Sequence, residues 1–245
     1  MDDTRPARGL RALARQRMRE EILAIARRHL GEQGASGLSL RAVARDVGMV
    51  SSAVYRYFDS RDALLTALIL DAYNALGASV EAAEAEVDRG DLRGRFEGLA
   101  RAARGWALAD PHSYALVYGS PVPGYVAPHD TVGPATRATR VLADILLDLT
   151  ATHRASGAPR PRRLRPEVVR AVAPVTEYIG GRVPPDLAVR AVMVWTSLFG
   201  LVSFELFGQL HNVIAEDLRG EFFDEAVSRL ADSLGLPPST RDRRR

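Results

Sequence analysis

The chain has 245 residues, of which 47% are apolar and 26% charged; these are ordinary proportions for a folded protein and too apolar for general disorder. It contains no cysteine, which excludes disulfides, thiolate metal sites and cysteine nucleophiles and fits a reducing compartment. No lysine is present either, and the arginines are unevenly spread: residues 1–59 hold 11 against 7 acids, while residues 60–240 hold 18 against 22. A basic N-terminal module on a mildly acidic body is the asymmetry of a polyanion reader, although a few solvated arginines give the same count.

The N-terminal run MDDTRPARGLRALARQRM lacks the apolar core of a signal peptide. The longest apolar stretch, Ala191–Phe204, has 14 residues, short of the ~20 that span a bilayer. A cytoplasmic chain with no membrane partner is therefore expected. Every periodic segment has helical spacing, and no alternating β-branched run bounded by turns is found, so the fold class is all-α.

In chain order, the first helix is expected over Leu13–Leu30, with Met18, Ile22, Ile25, Ala26 and Leu30 as one stripe and Gly31 and Gly34 as stops. Ser39 is an N-cap candidate, and Leu38 and Val43 have the spacing of a hydrophobic staple. A short helix Leu40–Val47 then meets Gly48, whose freedom at positive φ allows a sharp turn, and Ser51 and Ser52 open another short helix through Tyr57. The group Asp59-Ser60-Arg61-Asp62 reads as cap and first turn of a long helix to about Val87. At 1.5 Å per residue, its ~27 residues reach about 40 Å.

Further helices are expected at Leu92–Ala109, Pro111–Tyr118, Ala135–Arg154, Pro166–Ile179, Pro185–Leu210 and Arg219–Leu234. Asp110-Pro111 and Pro184-Pro185 mark starts, Gly119 and Gly180-Gly181 mark stops, and Pro174 should kink or split its helix. Residues 119–134 and 155–165 read as loops. The domain reading is a helix-turn-helix module over 1–62, a helical body over 63–236 and a disordered tail over 237–245.

Two short helices joined by a glycine turn, behind a supporting first helix, make a helix-turn-helix whose second helix can enter a major groove. Val54 and Phe58, spaced i, i+4, should point inward and leave Ser51, Ser52, Ala53, Tyr55, Arg56 and Tyr57 at or near the surface. The run LSLRAVARDVGMVSSAVYRYFDSRDALLTAL resembles the N-terminal domain of the tetracycline-repressor (TetR) family, most diagnostically in Tyr55-x-Tyr57-Phe58 and Ser60-Arg61-x-x-Leu64-Leu65. The resemblance implies that Arg41 contacts a base or phosphate, that Ser51 to Ala53, Tyr55 and Tyr57 line the groove, and that Arg61 clamps a phosphate; Ser39 and Arg56 complete the candidate set. Arg5, Arg8 and Arg11 could form a minor-groove arm or a free tail.

The stretch Trp195 to Glu205 resembles a subgroup whose effector domain carries Trp-x-x-x-His-Gly, with Phe199 here in place of the histidine. The helix over 185–210 is apolar on nearly every face, which asks for burial on two sides. In the resembled family the last two helices join protomers, so a homodimer through 185–210 and 219–234 is expected. Candidates for a ligand cavity are Trp106, Tyr114, Tyr118, Trp195, Phe199 and Glu205; as a lone carboxylate in an apolar helix, Glu205 needs either a buried donor or a ligand.

The resemblance implies a ligand-responsive regulator, a repressor that binds a palindromic operator as a homodimer and is released by a small, largely apolar effector. The competing classes are a DNA binder without an effector and an all-helical enzyme. No Gly-x-Ser-x-Gly or His-Glu-x-x-His occurs, a P-loop is impossible without lysine, and the five histidines have no metal-ligand spacing. Neither a cofactor nor a metal is expected.

Overall fold

We describe a computed structural model, which covers residues 5–156 and 163–239. Among these residues every element is helical: α1 (Arg5–Gly37), α2 (Leu40–Asp46), α3 (Ser51–Val54), α4 (Arg61–Ala85), α5 (Leu92–Ala109), α6 (Pro111–Tyr118), α7 (Val132–Ala135), α8 (Arg137–Ser156), α9 (Pro166–Tyr178), α10 (Pro185–Leu206) and α11 (Arg219–Leu234). The chain divides into two compact units, one reaching Asn74 and including Asp110–Pro134, the other comprising Ala75–Ala109 and the chain from Ala135 onward.

The first unit is larger than the 62 residues expected of a helix-turn-helix module, because α6 and the segment after it are part of it. Its core joins Ile22, Leu23 and Ala26 of α1, Leu40, Val43 and Ala44 of α2, Val54 and Phe58, and Leu64, Leu65 and Leu68 of α4. Leu116, Val117, Val122 and Tyr125 pack on this cluster, and the Tyr125 hydroxyl lies 2.9 Å from Thr66 Oγ1. The expected loop after α6 contains a 3-10 turn, His129–Thr131, and the short α7.

Local chemistry explains most of the boundaries. Gly31 does not stop α1; the helix runs on to Gly34 (φ 68°, ψ 174°), where two helical segments meet at a kink. Gly31 is instead a point of close approach: a Cβ there would stand 2.9 Å from the His112 ring of α6. Ser39 occupies the cap position of α2 without a side-chain capping bond, whereas Ser60 Oγ accepts the Ala63 N–H at 3.0 Å and Asp110 accepts the Ser113 N–H at 3.0 Å. Gly48 turns the chain at φ 76°. Pro174 sits inside α9 without splitting it; it is exposed, so the carbonyl one turn back that loses its donor can meet water.

In the second unit α5 packs against α8, α10 and α11, and α10 packs against α9 and α11. Phe96 and Leu99 of α5, Ile145, Leu146 and Leu149 of α8, Leu198 and Val202 of α10, and Phe223 and Val227 of α11 are buried. Both α4 and α10 are long and apolar enough to cross a membrane by length and composition, but Leu64, Leu68, Leu76 and Val80 of α4, like Leu187, Val194 and Leu198 of α10, lie in protein core.

Arginine forks fasten this unit. Arg95, 1% exposed, donates to Glu84 at 2.7 Å and to Asp148 at 2.7 Å. Arg93 donates to the carbonyls of Leu236 and Pro237, and Ser239 Oγ donates to Asp91 Oδ2 at 2.7 Å. Residues 237–239, expected in a disordered tail, are therefore packed at the start of α5; the rest of that tail, residues 240–245, lies outside the described residues.

Burial alone would raise the pKa of Asp148, but hydrogen bonds from Arg95 and Arg89 outweigh it and hold the carboxyl below its ordinary range. Its folded pKa is thus lower than its unfolded one, so the stability it contributes is complete above the ordinary carboxylate range and is lost as pH falls through the depressed value. Replacing Arg95 with Met leaves Glu84 without this donor and Asp148 with only the exposed Arg89, the two carboxylates being 28% and 26% exposed, which should cost about 2–3 kcal/mol, less than a fully buried pair. Urea denaturation should show this difference near pH 7 and show it shrinking below about pH 4.

Candidate nucleic-acid interface

A helix of one turn cannot hold its own conformation, so the orientation of α3 comes from what it buries. The Phe58 N–H donates to the Val54 carbonyl at 3.1 Å, which keeps the two side chains on one face. Both enter the core, at 0% and 2% exposure. Ser51, Ser52, Tyr55 and Arg56 are thereby left exposed, while Tyr57 is half-buried.

Ala53 departs from its expected outward place. It is buried, because its methyl sits on the flank of the face that carries Val54 and fills helix packing rather than presenting itself to a groove.

Two arginines of α1 hold the other end of the turn. Arg15 donates to the Arg56 carbonyl at 3.1 Å and Arg19 to the Tyr57 carbonyl at 3.4 Å. Their guanidinium carbons lie 5.8 Å from the Tyr57 ring centroid and 4.4 Å from that of Phe58. Carbonyls at a helix end have no intrahelical donor and carry the negative end of the dipole, so a cationic fork suits them. Sequence reasoning missed this pair, for which the i, i+4 spacing of 15 and 19 was the available signal. The side chains of Arg5 and Arg8 lie outside the described residues, and Arg11 is exposed.

The second short helix is tied back to α1 in the same unit. The buried His29 ring places Nε2 2.7 Å from Asp46 Oδ2, and this hydrogen bond is the main reason that the Asp46 carboxyl lies below its ordinary range. Arg41 is exposed on α2, and Arg45, one turn later, has 79% of its side chain exposed. Ser39 is half-buried.

Val50 was not among the sequence candidates. It precedes α3 at a position where Ser, Thr, Asp or Asn would cap, and it is 72% exposed. An apolar residue in a capping position was the overlooked signal. Arginines, hydroxyls and an apolar side chain, all exposed, supply the three contact types that duplex DNA accepts: bidentate bonds to guanine, bonds to phosphate, and packing on thymine methyls.

Arg61 is already engaged within the protein. Its Nε donates to the Leu38 carbonyl at 3.1 Å and Nη2 to the Ala35 carbonyl at 2.7 Å, which fastens the start of α4 to the end of α1. Three of its five N–H donors remain beyond these two bonds.

The ligand candidates fall into different units. Tyr114 and Tyr118 belong to the first, with ring centroids 5.2 Å apart, and Tyr118 meets Tyr73 edge-on at 6.4 Å. Burial pushes the Tyr118 hydroxyl well above its ordinary pKa, with the neighbouring tyrosines adding to it, so this is an uncharged aromatic cluster.

In the second unit Trp106 is half-buried, and the ring of buried Phe199 meets that of Trp195 at a tilt of 44° with centroids 4.6 Å apart. Glu205 has both oxygens taken by Arg104, at 2.7 and 2.6 Å, so its charge is met by a protein cation.

The same unit contains a cavity of about 370 Å³ between α8, α9 and α10. Of the six ligand candidates it is lined by Trp195; Leu146, Val175, Tyr178 and Thr139 join it there. The apolar stripe Val168, Val172 and Val175 on α9, continued by Ile179 just after it, was the signal for this wall.

Replacing Arg61 with Ala takes the guanidinium donor from the Leu38 carbonyl and leaves the Ala35 carbonyl only the 3.4 Å bond from the Leu38 N–H, which should lower stability by ~1–3 kcal/mol, read by urea unfolding in the absence of DNA. Unchanged stability would restrict this side chain to a surface role.

Two family models match the chain: that of bacterial regulatory proteins of the tetR family over residues 22–68, and that of the tetracyclin repressor-like C-terminal domain over residues 96–230. The HTH-type transcriptional regulators Rv1816 of Mycobacterium tuberculosis and Mb1846 of Mycobacterium bovis are each 40% identical over 208 residues, which cover 82% of this chain and 86% of theirs. Among solved structures, the regulatory protein SCO4313 is 33% identical with a TM-score of 0.70, covering 89% of this chain and 97% of its own. AibR, solved with isovaleryl coenzyme A and operator DNA, shares the fold at 15% identity and a TM-score of 0.55, covering 90% of this chain and 99% of its own. The chain belongs to the TetR family of bacterial transcriptional regulators.

Proposed function

We propose that the protein is a cytoplasmic repressor that binds a palindromic operator as a homodimer, with α3 in the major groove, and that a small, largely apolar effector releases it. The observation that carries this reading is the anchoring of Val54 and Phe58 in the core, which leaves Ser51, Ser52, Tyr55 and Arg56 exposed beside Arg41 and Val50. Base edges are read by Arg41 and the α3 side chains, and Arg61 reaches a phosphate with the donors left over from its bonds to α1.

A second copy of the chain is supported by α10. Met193, Ser197, Gly200, Phe204 and Phe207 follow one another at i, i+4, i+7, i+11 and i+14, a single helical stripe. On it Met193, Phe204 and Phe207 are 61%, 55% and 48% exposed, and Phe222 of the neighbouring α11 is 41% exposed. The sequence reading of α10 as buried on two sides thus meets one buried face and one open one, and the open one suits a twin four-helix contact. Two-fold related readers must sit ~34–36 Å apart to meet successive major grooves.

The cavity in the second unit favours a ligand-responsive regulator over one without an effector, which would have a filled C-terminal unit. Residues of α4 belong to both units, so a ligand that shifts this helix displaces one reader from register. A coupling of ~1–3 kcal/mol changes operator affinity roughly 5- to 150-fold, and operator DNA weakens ligand binding by the same factor.

Two measurements test these points. On DNA selected by the protein from random sequence, Arg41→Ala should lose ~1–3 kcal/mol of binding and relax one base position, and Tyr55→Ala should weaken binding without a loss of folding; unchanged affinity in both variants overturns the interface. Phe204→Arg should convert a dimer to a monomer by light scattering and reduce operator affinity, and a monomeric native protein at micromolar concentration overturns the dimer.

A further inference from the structure

The cavity between α8, α9 and α10 runs inward from the surface, with Tyr178 and Val192 at its mouth 48% and 39% exposed. Leu142, Ala143 and Leu146 on α8, Ile179 after α9 and Ala191 on α10 all line it, yet each is less than 9% exposed. At about 370 Å³ it falls in the range of small-molecule sites, roughly 300–1,000 Å³. Trp195 forms one wall, and the Phe199 ring packs against it with centroids 4.6 Å apart.

Among the described residues, no arginine, histidine or carboxylate lines the cavity. An ionised ligand buried there would lose its hydration without a counter-charge, at a cost that a neutral one avoids. At one end of the cavity three oxygens face one another. Thr139 Oγ1 donates to the Thr136 carbonyl at 2.9 Å, Tyr178 OH donates to the same carbonyl at 3.3 Å, and the two hydroxyls are 3.3 Å apart.

The Thr136 carbonyl also accepts the Arg140 N–H at 2.9 Å. Both hydroxyl protons are therefore spent within the triad, whichever oxygen each one meets. A hydroxyl that has given its proton still has lone pairs, so Thr139 and Tyr178 present hydrogen-bond acceptors to the cavity.

We propose that this cavity is a binding site for a neutral, largely apolar molecule carrying an O–H or N–H donor, an alcohol, phenol or amide, and that it selects against carboxylates. The apolar body packs between Trp195, Val175 and Leu146, and the donor meets Thr139 and Tyr178. Phe199 is a positioning residue that sets the Trp195 ring. This inference rests on the reading of the second unit as an effector domain and names the class of effector.

Three probes with the same ring system test it by calorimetry on the full chain at pH 7: 2-naphthol as a neutral donor, 2-methoxynaphthalene without a donor, and 2-naphthoate as an anion. The expected order is 2-naphthol about tenfold tighter than the ether, in line with one hydrogen bond, and 2-naphthoate weakest. The double variant Thr139→Val, Tyr178→Phe should bind 2-naphthol no better than the ether, and Val175→Asp, on a half-buried wall position, should abolish binding of both neutral probes while circular dichroism stays native.

The site is overturned if 2-naphthoate matches 2-naphthol, if the preference for the donor survives the double variant, if Val175→Asp binds normally, or if no probe binds at its solubility limit. Operator affinity measured in parallel separates the two readings. Probe binding that leaves DNA affinity unchanged supports the site and counts against effector release, whereas intact DNA binding with no probe bound counts against the site alone.

Discussion

Everything that the reader can do depends on the burial of two side chains one turn apart. A four-residue helix has no free energy of its own to spare for direction, so α3 points where Val54 and Phe58 anchor it. The core that receives them is built by α1, α2 and α4 together, which is why a DNA-reading element this short needs three helices behind it. The outward set follows largely from the inward pair: at about 100° per residue, fixing 54 and 58 turns 52, 55 and 56 away from the core, and Ser51 is exposed as the first residue of α3.

The second recurring device is the arginine fork. Arg15 and Arg19 close the carbonyls after α3, Arg61 those at the end of α1, and Arg190 those of Ser233 and Leu234 at the end of α11. Each helix end has carbonyls without intrahelical donors, and a planar guanidinium can serve two acceptors at once where an ammonium is a point charge. A chain without lysine is suited to this role. At Arg61 two donors hold the start of α4 and others are left over.

In the C-terminal unit α10 has three distinct faces. Leu187, Val194, Leu198 and Val202 enter the core, Ala191, Val192 and Trp195 wall the cavity, and Met193 and Phe204 are exposed. One apolar helix thus packs, lines a pocket and offers a surface, and the i, i+4 register decides which residue does which. Glu205 shows the opposite economy: a carboxylate in this helix is tolerable because Arg104 meets both of its oxygens within the same unit, and the Arg104 guanidinium lies 5.2 Å from the Phe223 ring centroid.

From the sequence alone the helical class, the helix-turn-helix, the inward phase of Val54 and Phe58 and the span of α11 could be determined, because each depends on periodicity, a glycine or a cap within a few residues. The family was legible for the same reason: its diagnostic residues are consecutive. What the tertiary structure decided involves partners far apart in the chain. Whether Gly31 stops a helix or admits His112, whether Arg61 is free or bonded to Ala35, and whether Glu205 awaits a ligand or meets Arg104 are questions about residues 26 to 101 positions away. Local pattern carries no information about such pairs. The ligand candidates failed to converge on one site for that reason, since aromatic character marks a residue as worth burying and says nothing about whether a tyrosine cluster or a cavity wall receives it.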